Sequence, residues 1–150
     1  MKLLVLNGPN LGRLDLRDSA IYGTLNFTEL SQLIVECAVK HGFEPDIRQS
    51  DSESEIIGWL HEAADAKTPV IFNPAAFTHY SHAIGDAAAM LKAPLIEVHL
   101  SNPLAREEFR HTSVISPVAA GTIAGFGPAS YELAIRAMQG LVGSVGVPTA

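Results

Sequence analysis

The stretch LIEVHLSNPLAREEFR, residues 95–110, decides how this chain is read. Pro94 introduces it, and Leu95 to Leu100 has the apolar, β-branched character of a buried strand. Along an extended strand, residues i, i+2 and i+4 share a face. Glu97, His99 and Ser101 therefore point the same way. A polar turn carrying Arg106 and Arg110 follows. An apolar strand that ends in a same-face row of polar groups predicts a site at that end.

Working outward, the same alternation recurs. Lys2 to Leu6 reads as a buried strand stopped by the turn residues Asn7-Gly8-Pro9-Asn10. A loop spans roughly residues 11–25, long enough to be a functional lid. A helix begins at Asn26, with Glu29 placed for a capping box. Phe27, Leu30, Leu33, Ile34, Cys37, Ala38 and His41 share its inner face, and Gly42 ends it. Asp46 to Gln49 is a short polar edge strand. Ser52 and Glu55 cap a second helix that ends near Lys67, since Pro69 forbids continuation. Val70 to Phe72 is a strand closed by Asn73-Pro74, and a helix covers about residues 81–91. Val114-Ile115 and residues 122–126 are both β-branched, the second being the better final strand. A last helix covers about residues 128–141, so one domain fills residues 1–142 and residues 143–150 form a flexible tail. Short strands alternating with helices of ten or more residues predict an α/β fold, a parallel sheet with helices on both faces. Such sheets bind ligands at the carboxyl ends of their strands. The segments after the first, third and fourth strands all lie on that edge.

The totals bound the function. A chain of 150 residues, 47% hydrophobic and 17% charged, suits one globular domain with a real core. No apolar run approaches the ~18 residues a membrane span needs. The short run after Met1 stops at Asn7 without a signal-peptide cleavage pattern, so it reads as a strand and the protein as cytoplasmic. One cysteine, Cys37, excludes an internal disulfide and supplies no metal-ligand spacing. A net charge of −6 argues against nucleic acid as a partner. Yet Arg13, Arg17, Arg106 and Arg110 sit in two loops, which predicts a local anion site on an acidic body.

Individual residues carry competing readings. Asn7 to Gly12 matches neither GxGxxG nor a P-loop, and Pro9 removes a backbone donor, so a structural turn is expected. Asn10 remains a polar candidate at the strand end. Arg17 and Tyr22 share the long loop, either as solvated side chains or as part of the site. An ordinary tyrosine, with a pKa of ~10, is a poor base at neutral pH. Lowering it by about two to three pH units takes roughly 3–4 kcal/mol. Two guanidiniums within ~5 Å supply that at an effective dielectric of ~20. His79 and His82 are three apart, but no third ligand accompanies them, and hydrogen-bonding roles are favoured over metal. Asp86 is either a surface charge or a contact to another subunit. Glu97 beside His99 fixes an imidazole tautomer and raises its basicity, or forms a satisfied structural pair. Arg106 and Arg110, four apart, share a face in a helical turn and clasp a carboxylate. With Glu107 and Glu108 between them, a structural ion-pair turn is the alternative.

The motifs LNGPNLGRL (6–14), Arg17 with Tyr22-Gly23, RQSDSE (48–53), Asn73-Pro74 with Thr78-His79, IEVHLSN (96–102) and REEFRH (106–111) occur together and in order. In these the chain resembles the type II 3-dehydroquinate dehydratases. The resemblance implies a flavodoxin-like three-layer sandwich with five parallel strands in the order 2-1-3-4-5. It implies conversion of 3-dehydroquinate to 3-dehydroshikimate, a shikimate-pathway step, with no cofactor and no metal. Tyr22 would be the base, Arg17 its stabiliser, and His99 the acid oriented by Glu97. Asn10 and a water would support the enolate oxygen. Asn73, His79, Arg110, Leu100 and Ser101 would hold the substrate. Arg106 would tune the tyrosine, with Arg13 in support. Asp86 would reach a neighbouring subunit's site in a homododecamer of four trimers. Four departures bear on this: Asp15 and Asp18-Ser19 in the lid, Ala75 where glycine is frequent, and Gly85 where arginine is common. Asp15 competes for Arg13 or Arg17, and a left-handed backbone at position 75 would cost alanine about a kcal/mol. The other reading of the whole is a non-catalytic flavodoxin-like module for a flavin or a protein partner.

Overall fold

The computed structural model describes residues 1–143. The expected tail, residues 144–150, lies outside the described residues. Five parallel strands form one sheet: β1 (Lys2–Asn7), β2 (Glu44–Gln49), β3 (Val70–Asn73), β4 (Leu95–His99) and β5 (Gly121–Ala124). Their order is β2-β1-β3-β4-β5, the doubly wound arrangement expected from the sequence. Helices α2 (Phe27–Lys40) and α5 (Ala129–Gly143) cover one face, and α3 (Glu53–Ala66) and α4 (His82–Ala89) the other. Among the described residues no helix is long and apolar enough to cross a membrane.

The two cores follow from strand alternation. Leu3 and Val5 of β1 pack with Leu30, Ile34, Tyr131 and Ile135 beneath α2 and α5. Leu4 and Leu6 point the other way, toward Ile56, Leu60, Ile84 and Ala88. Helix termini are set by local chemistry. The Asn26 side chain accepts from the Glu29 amide (2.8 Å) and Glu29 answers the Asn26 amide (3.4 Å), completing the expected capping box. Gly42 follows α2 with φ +84°, a conformation glycine adopts at little cost. Ser52 caps α3 and Ser81 caps α4.

Two expectations change. The segment after β1 is not a simple loop. Leu11–Leu16 makes a 3₁₀ turn pinned by buried Leu11 and Leu14. Ser19–Tyr22 then forms a helical turn, α1, with the Asp18 side chain accepting from the Ala20 amide (3.0 Å). Asp18 thus serves as an N-cap, which the sequence reading had not assigned. Arg106 and Arg110 also do not share one helical turn. Arg106 is extended (φ −115°, ψ −161°) between separate 3₁₀ turns, Pro103–Ala105 and Glu108–His111.

The sheet places polar groups along its carboxyl edge. Asn7 lies in register with Gln49 on one side and Asn73 on the other, and His99 ends β4 opposite Ala124. Gly8 permits the close approach of the turns beyond β1 and β3. Its amide donates to the Asn73 carbonyl (2.8 Å), and a Cβ there would lie 2.4 Å from the Pro74 carbonyl oxygen.

Candidate active site

At this edge a pocket is lined by Leu11, Arg17, Tyr22, Asn73, Ala75, Ala76, His79, His99, Leu100, Ser101, Pro103, Arg106 and Arg110. Segments following three different strands supply them, because the register brings those strand ends side by side. The side chains leave about 30 Å³ of free space between them, room for a water or two. His79, His99 and Arg110 also wall a more open cavity of about 360 Å³.

Helix α1 delivers Tyr22 to the pocket. The Arg17 Nη2 donates to the Tyr22 hydroxyl, and the Arg17 guanidinium lies 3.6 Å from the ring centroid. Arg106 approaches the same ring at 5.1 Å. Burial holds Arg17 below its ordinary pKa; Tyr22 opposes this, and Arg106 and Arg110 reinforce it. Positive charge beside a phenolic oxygen stabilises negative charge on it. Arg106 Nη1 donates to Ser101 Oγ (3.2 Å), while its buried Nε has no hydrogen-bond partner among the described residues.

Glu97 and His99 share a face, as the alternation of β4 requires. His99 Nε2 lies 2.8 Å from Glu97 Oε1. Glu97 is completely buried. Burial alone would raise its pKa, but hydrogen bonds from His99, Ser116 and Thr78 outweigh that and hold the carboxyl below its ordinary value. A carboxylate only accepts, so Nε2 carries the hydrogen of this bond and Nδ1 remains available. His79 Nδ1 donates to the Thr112 carbonyl (2.8 Å), a hydrogen-bonding role that leaves its Nε2 available. Burial also lowers the pKa of His79; the Thr112 contact opposes this, and His99 and Arg110 add to it.

Asn73 is partly committed. Its Nδ2 donates to the Tyr131 hydroxyl (2.9 Å) and its Oδ1 accepts from the Ala75 amide (3.1 Å). One amide hydrogen and one lone pair remain. Ala75 has φ +50°, so the left-handed backbone considered from the sequence is present. Arg110 pairs with Glu107, the ion-pair alternative raised by the sequence, while its guanidinium still lines the pocket.

Three candidates lie elsewhere. Arg13 pairs with Asp15 at 3.1 Å in an exposed bridge, its side chain 64% exposed, so three arginines rather than four converge. Asp15 therefore competes for Arg13 and not for Arg17. Asn10 is exposed in a left-handed conformation (φ 68°), its amide bound to Asp51 Oδ1 (2.8 Å). Asp86 is exposed on α4, next to Gly85, where a Cβ would lie 3.0 Å from the Val114 carbonyl oxygen. The sequence reading missed Ser113 and Ser116, which reach Glu97 only through tertiary packing. Among the described residues no group of three or more His, Cys, Asp or Glu side chains is placed to hold a metal ion.

A doubly wound α/β domain with cationic groups, a tyrosine and a histidine gathered at its strand ends belongs to a class suited to anionic substrates. The family description "Dehydroquinase class II" matches residues 1–139, and the chain belongs to that family. It is 55% identical over 136 residues to a 3-dehydroquinate dehydratase of Salinispora tropica, covering 91% of this chain and 95% of that one. A 3-dehydroquinate dehydratase of Mycobacteroides abscessus is 56% identical over 136 residues, covering 91% and 94%. The crystal structure of a type II dehydroquinase from Propionibacterium acnes superposes with a TM-score of 0.90 at 52% identity, covering 93% and 96%.

Proposed function

We propose that this chain dehydrates 3-dehydroquinate to 3-dehydroshikimate by general base and general acid catalysis. The observation that carries the reading is the Arg17-clasped Tyr22 hydroxyl in the same pocket as the Glu97-bound His99. In this reading Tyr22, as phenolate, takes a proton from the carbon beside the substrate ketone. The electron pair left behind forms an enolate, which the positive charge of Arg17 stabilises. Collapse of the enolate expels the hydroxyl group, His99 in its imidazolium form gives it the Nδ1 proton, and water departs, leaving His99 neutral with its hydrogen on Nε2. Glu97 holds the Nε2 hydrogen, so the ring presents Nδ1 to the pocket and the carboxylate balances the charge of the imidazolium. Arg106 adds positive charge beside Tyr22. Arg110, Ser101 with the Leu100 backbone, His79 and the spare valences of Asn73 would hold the carboxylate and hydroxyls.

We further propose that the chain assembles as a homododecamer of four trimers, with Asp86 reaching a neighbouring subunit's pocket. Its exposure on α4 supports that role, as do Tyr80, Met90 and Phe109, which remain exposed in the single chain. Light scattering on the purified protein is expected to give a mass of twelve chains, and a stable monomer would refute the assembly.

The decisive experiment adds 3-dehydroquinate to the pure protein and follows the ultraviolet absorbance of the conjugated enone product. Tyr22→Phe and His99→Ala are each expected to abolish its appearance while the circular dichroism spectrum is retained. Near-full activity in Tyr22→Phe would overturn the base assignment. No enone with folded wild-type protein would favour a binding module instead.

A further inference from the structure

A buried carboxylate offers about four acceptor positions, and the bond to His99 uses one of them. Three hydroxyls from outside β4 take up the others. Thr78 Oγ1 bonds Oε1, Ser116 Oγ bonds Oε2, and Ser113 Oγ lies 3.0 Å from both oxygens. Proton accounting shows which way the serines point. Ser113 Oγ accepts from the amides of Ile115 (3.0 Å) and Ser116 (2.9 Å), which fills its two lone pairs and leaves its own hydrogen to be shared between Glu97 and Thr78 Oγ1, 2.7 Å away, whose hydrogen in turn goes to Glu97 Oε1. Thr122 Oγ1 lies 3.0 Å from Ser116 Oγ, and its donation there leaves the Ser116 hydrogen for Glu97 as well. The segment carrying both serines is held in place. The Val114 amide donates to the Thr78 carbonyl (2.7 Å), and Gly85 lets α4 lie against the Val114 backbone.

We infer that Ser113 and Ser116 are positioning residues of this site: with Thr78 they form a hydroxyl cage that keeps buried Glu97 ionised and thereby fixes the Nε2–H tautomer of His99. Burial without such donors would drive a carboxyl neutral. A protonated Glu97 would then offer its own hydrogen to Nε2 and reverse the tautomer. The bonds overcome burial, since the Glu97 carboxyl is held below its ordinary value. The other titratable or charged groups facing this carboxylate are His99 on its own strand, His79 from the turn after β3, and Arg110 and His111 across the adjoining cavity. The catalytic meaning of the cage rests on the reading of His99 as the acid; the cage itself does not.

The test is therefore made first without substrate. Isotope-edited NMR follows the Glu97 carboxyl carbon, assigned by its loss in Glu97→Gln, and the His99 imidazole nitrogens against pH. In Ser116→Ala the Glu97 midpoint is expected to move up by about one pH unit, with the Nε2–H tautomer lost over the same range. Ser116→Thr, which keeps the hydroxyl, is expected to restore both. Ser113→Ala also removes two amide contacts, so Ser116→Ala and Thr78→Val carry the test if that variant fails to fold. Midpoints and tautomer unchanged from wild type in both would overturn the cage. Activity is measured in parallel. Full activity in His99→Ala would refute the acid assignment alone, whereas an inactive His99→Ala with an unmoved Glu97 titration in both Ser116→Ala and Thr78→Val would refute the cage alone.

Discussion

Replacing Arg17 by lysine keeps the positive charge and removes the planar fork, so it separates charge from geometry. In the structure the guanidinium does two things at once: it donates to the Tyr22 hydroxyl and stacks 3.6 Å from the ring centroid. An ammonium on a flexible stem does not hold both positions. A hydrogen bond to a charged group contributes about 1.5–3 kcal/mol. A partly desolvated cation over an aromatic ring adds roughly 1–2 kcal/mol. The two contributions overlap, and lysine recovers part of the charge, so a loss of about 3 kcal/mol is expected. At about 1.36 kcal/mol per decade that is roughly a hundredfold fall in kcat. Steady-state enone formation gives kcat and KM separately. If Arg17 serves the base, kcat carries the loss; if it only holds the substrate anion, KM rises and kcat is preserved. A kcat within threefold of wild type in folded Arg17→Lys would refute the argument that the guanidinium's shape matters to Tyr22.

Ala75→Gly relieves a left-handed backbone that costs an L-residue about 1–2 kcal/mol, against the chain entropy glycine brings of roughly 0.5–1 kcal/mol. A net gain of about 0.5 kcal/mol in urea denaturation is expected, and a loss above about 1 kcal/mol would show that the methyl packing dominates. Tyr131→Phe removes the hydroxyl that donates to Asn7 Oδ1 (2.6 Å) and accepts from Asn73 Nδ2, leaving two buried groups unpaired at the carboxyl edge of the sheet. Destabilisation of about 2–4 kcal/mol is expected from equilibrium unfolding. For Glu97 the folded-state pKa is depressed, so its contribution to stability is present above the ordinary 4.5 and is lost as pH falls through the lower folded value. The acid-induced drop in wild-type unfolding free energy should shrink in Glu97→Gln, measured relative to that variant's own neutral-pH stability.

How much was legible in the sequence follows from how local each signal is. Asn26 with Glu29, Ser52 and Pro69 mark helix ends through contacts a few residues apart, and the structure has them where expected. The Glu97–His99 pair is equally local, because a strand's period of two forces the two side chains together. Helix α1 was not legible: four residues, Ser19–Tyr22, carry no apolar period, and only the Asp18 cap announces them. Arg13 and Arg17 looked alike as members of one basic loop. What separates them is Asp15, two residues from each, which the fold gives to Arg13. Ser113 and Ser116 gave no sign of their destination, since the segment containing them meets Glu97 only after α4 and β3 have packed. Their one available signal was the density of hydroxyl residues between His111 and Ser116. The bond from Asn73 to Tyr131 spans 58 residues and belongs to the same kind of long-range contact.

The small free space beside Tyr22 has a thermodynamic consequence. A six-carbon ring acid is larger than this space, so a bound ring extends into the adjoining cavity of about 360 Å³ beside His79, His99 and Arg110 or displaces α1 and its flanking turns. Wherever α1 must shift, the apparent dissociation constant equals the intrinsic one divided by the fraction of chains already open. In that case substitutions that tighten the anchorage of Leu14, which is buried and does not line the pocket, would weaken substrate affinity without touching a group of the pocket wall. Substitutions that loosen it would raise affinity until the loss of an assembled Tyr22 outweighed the gain.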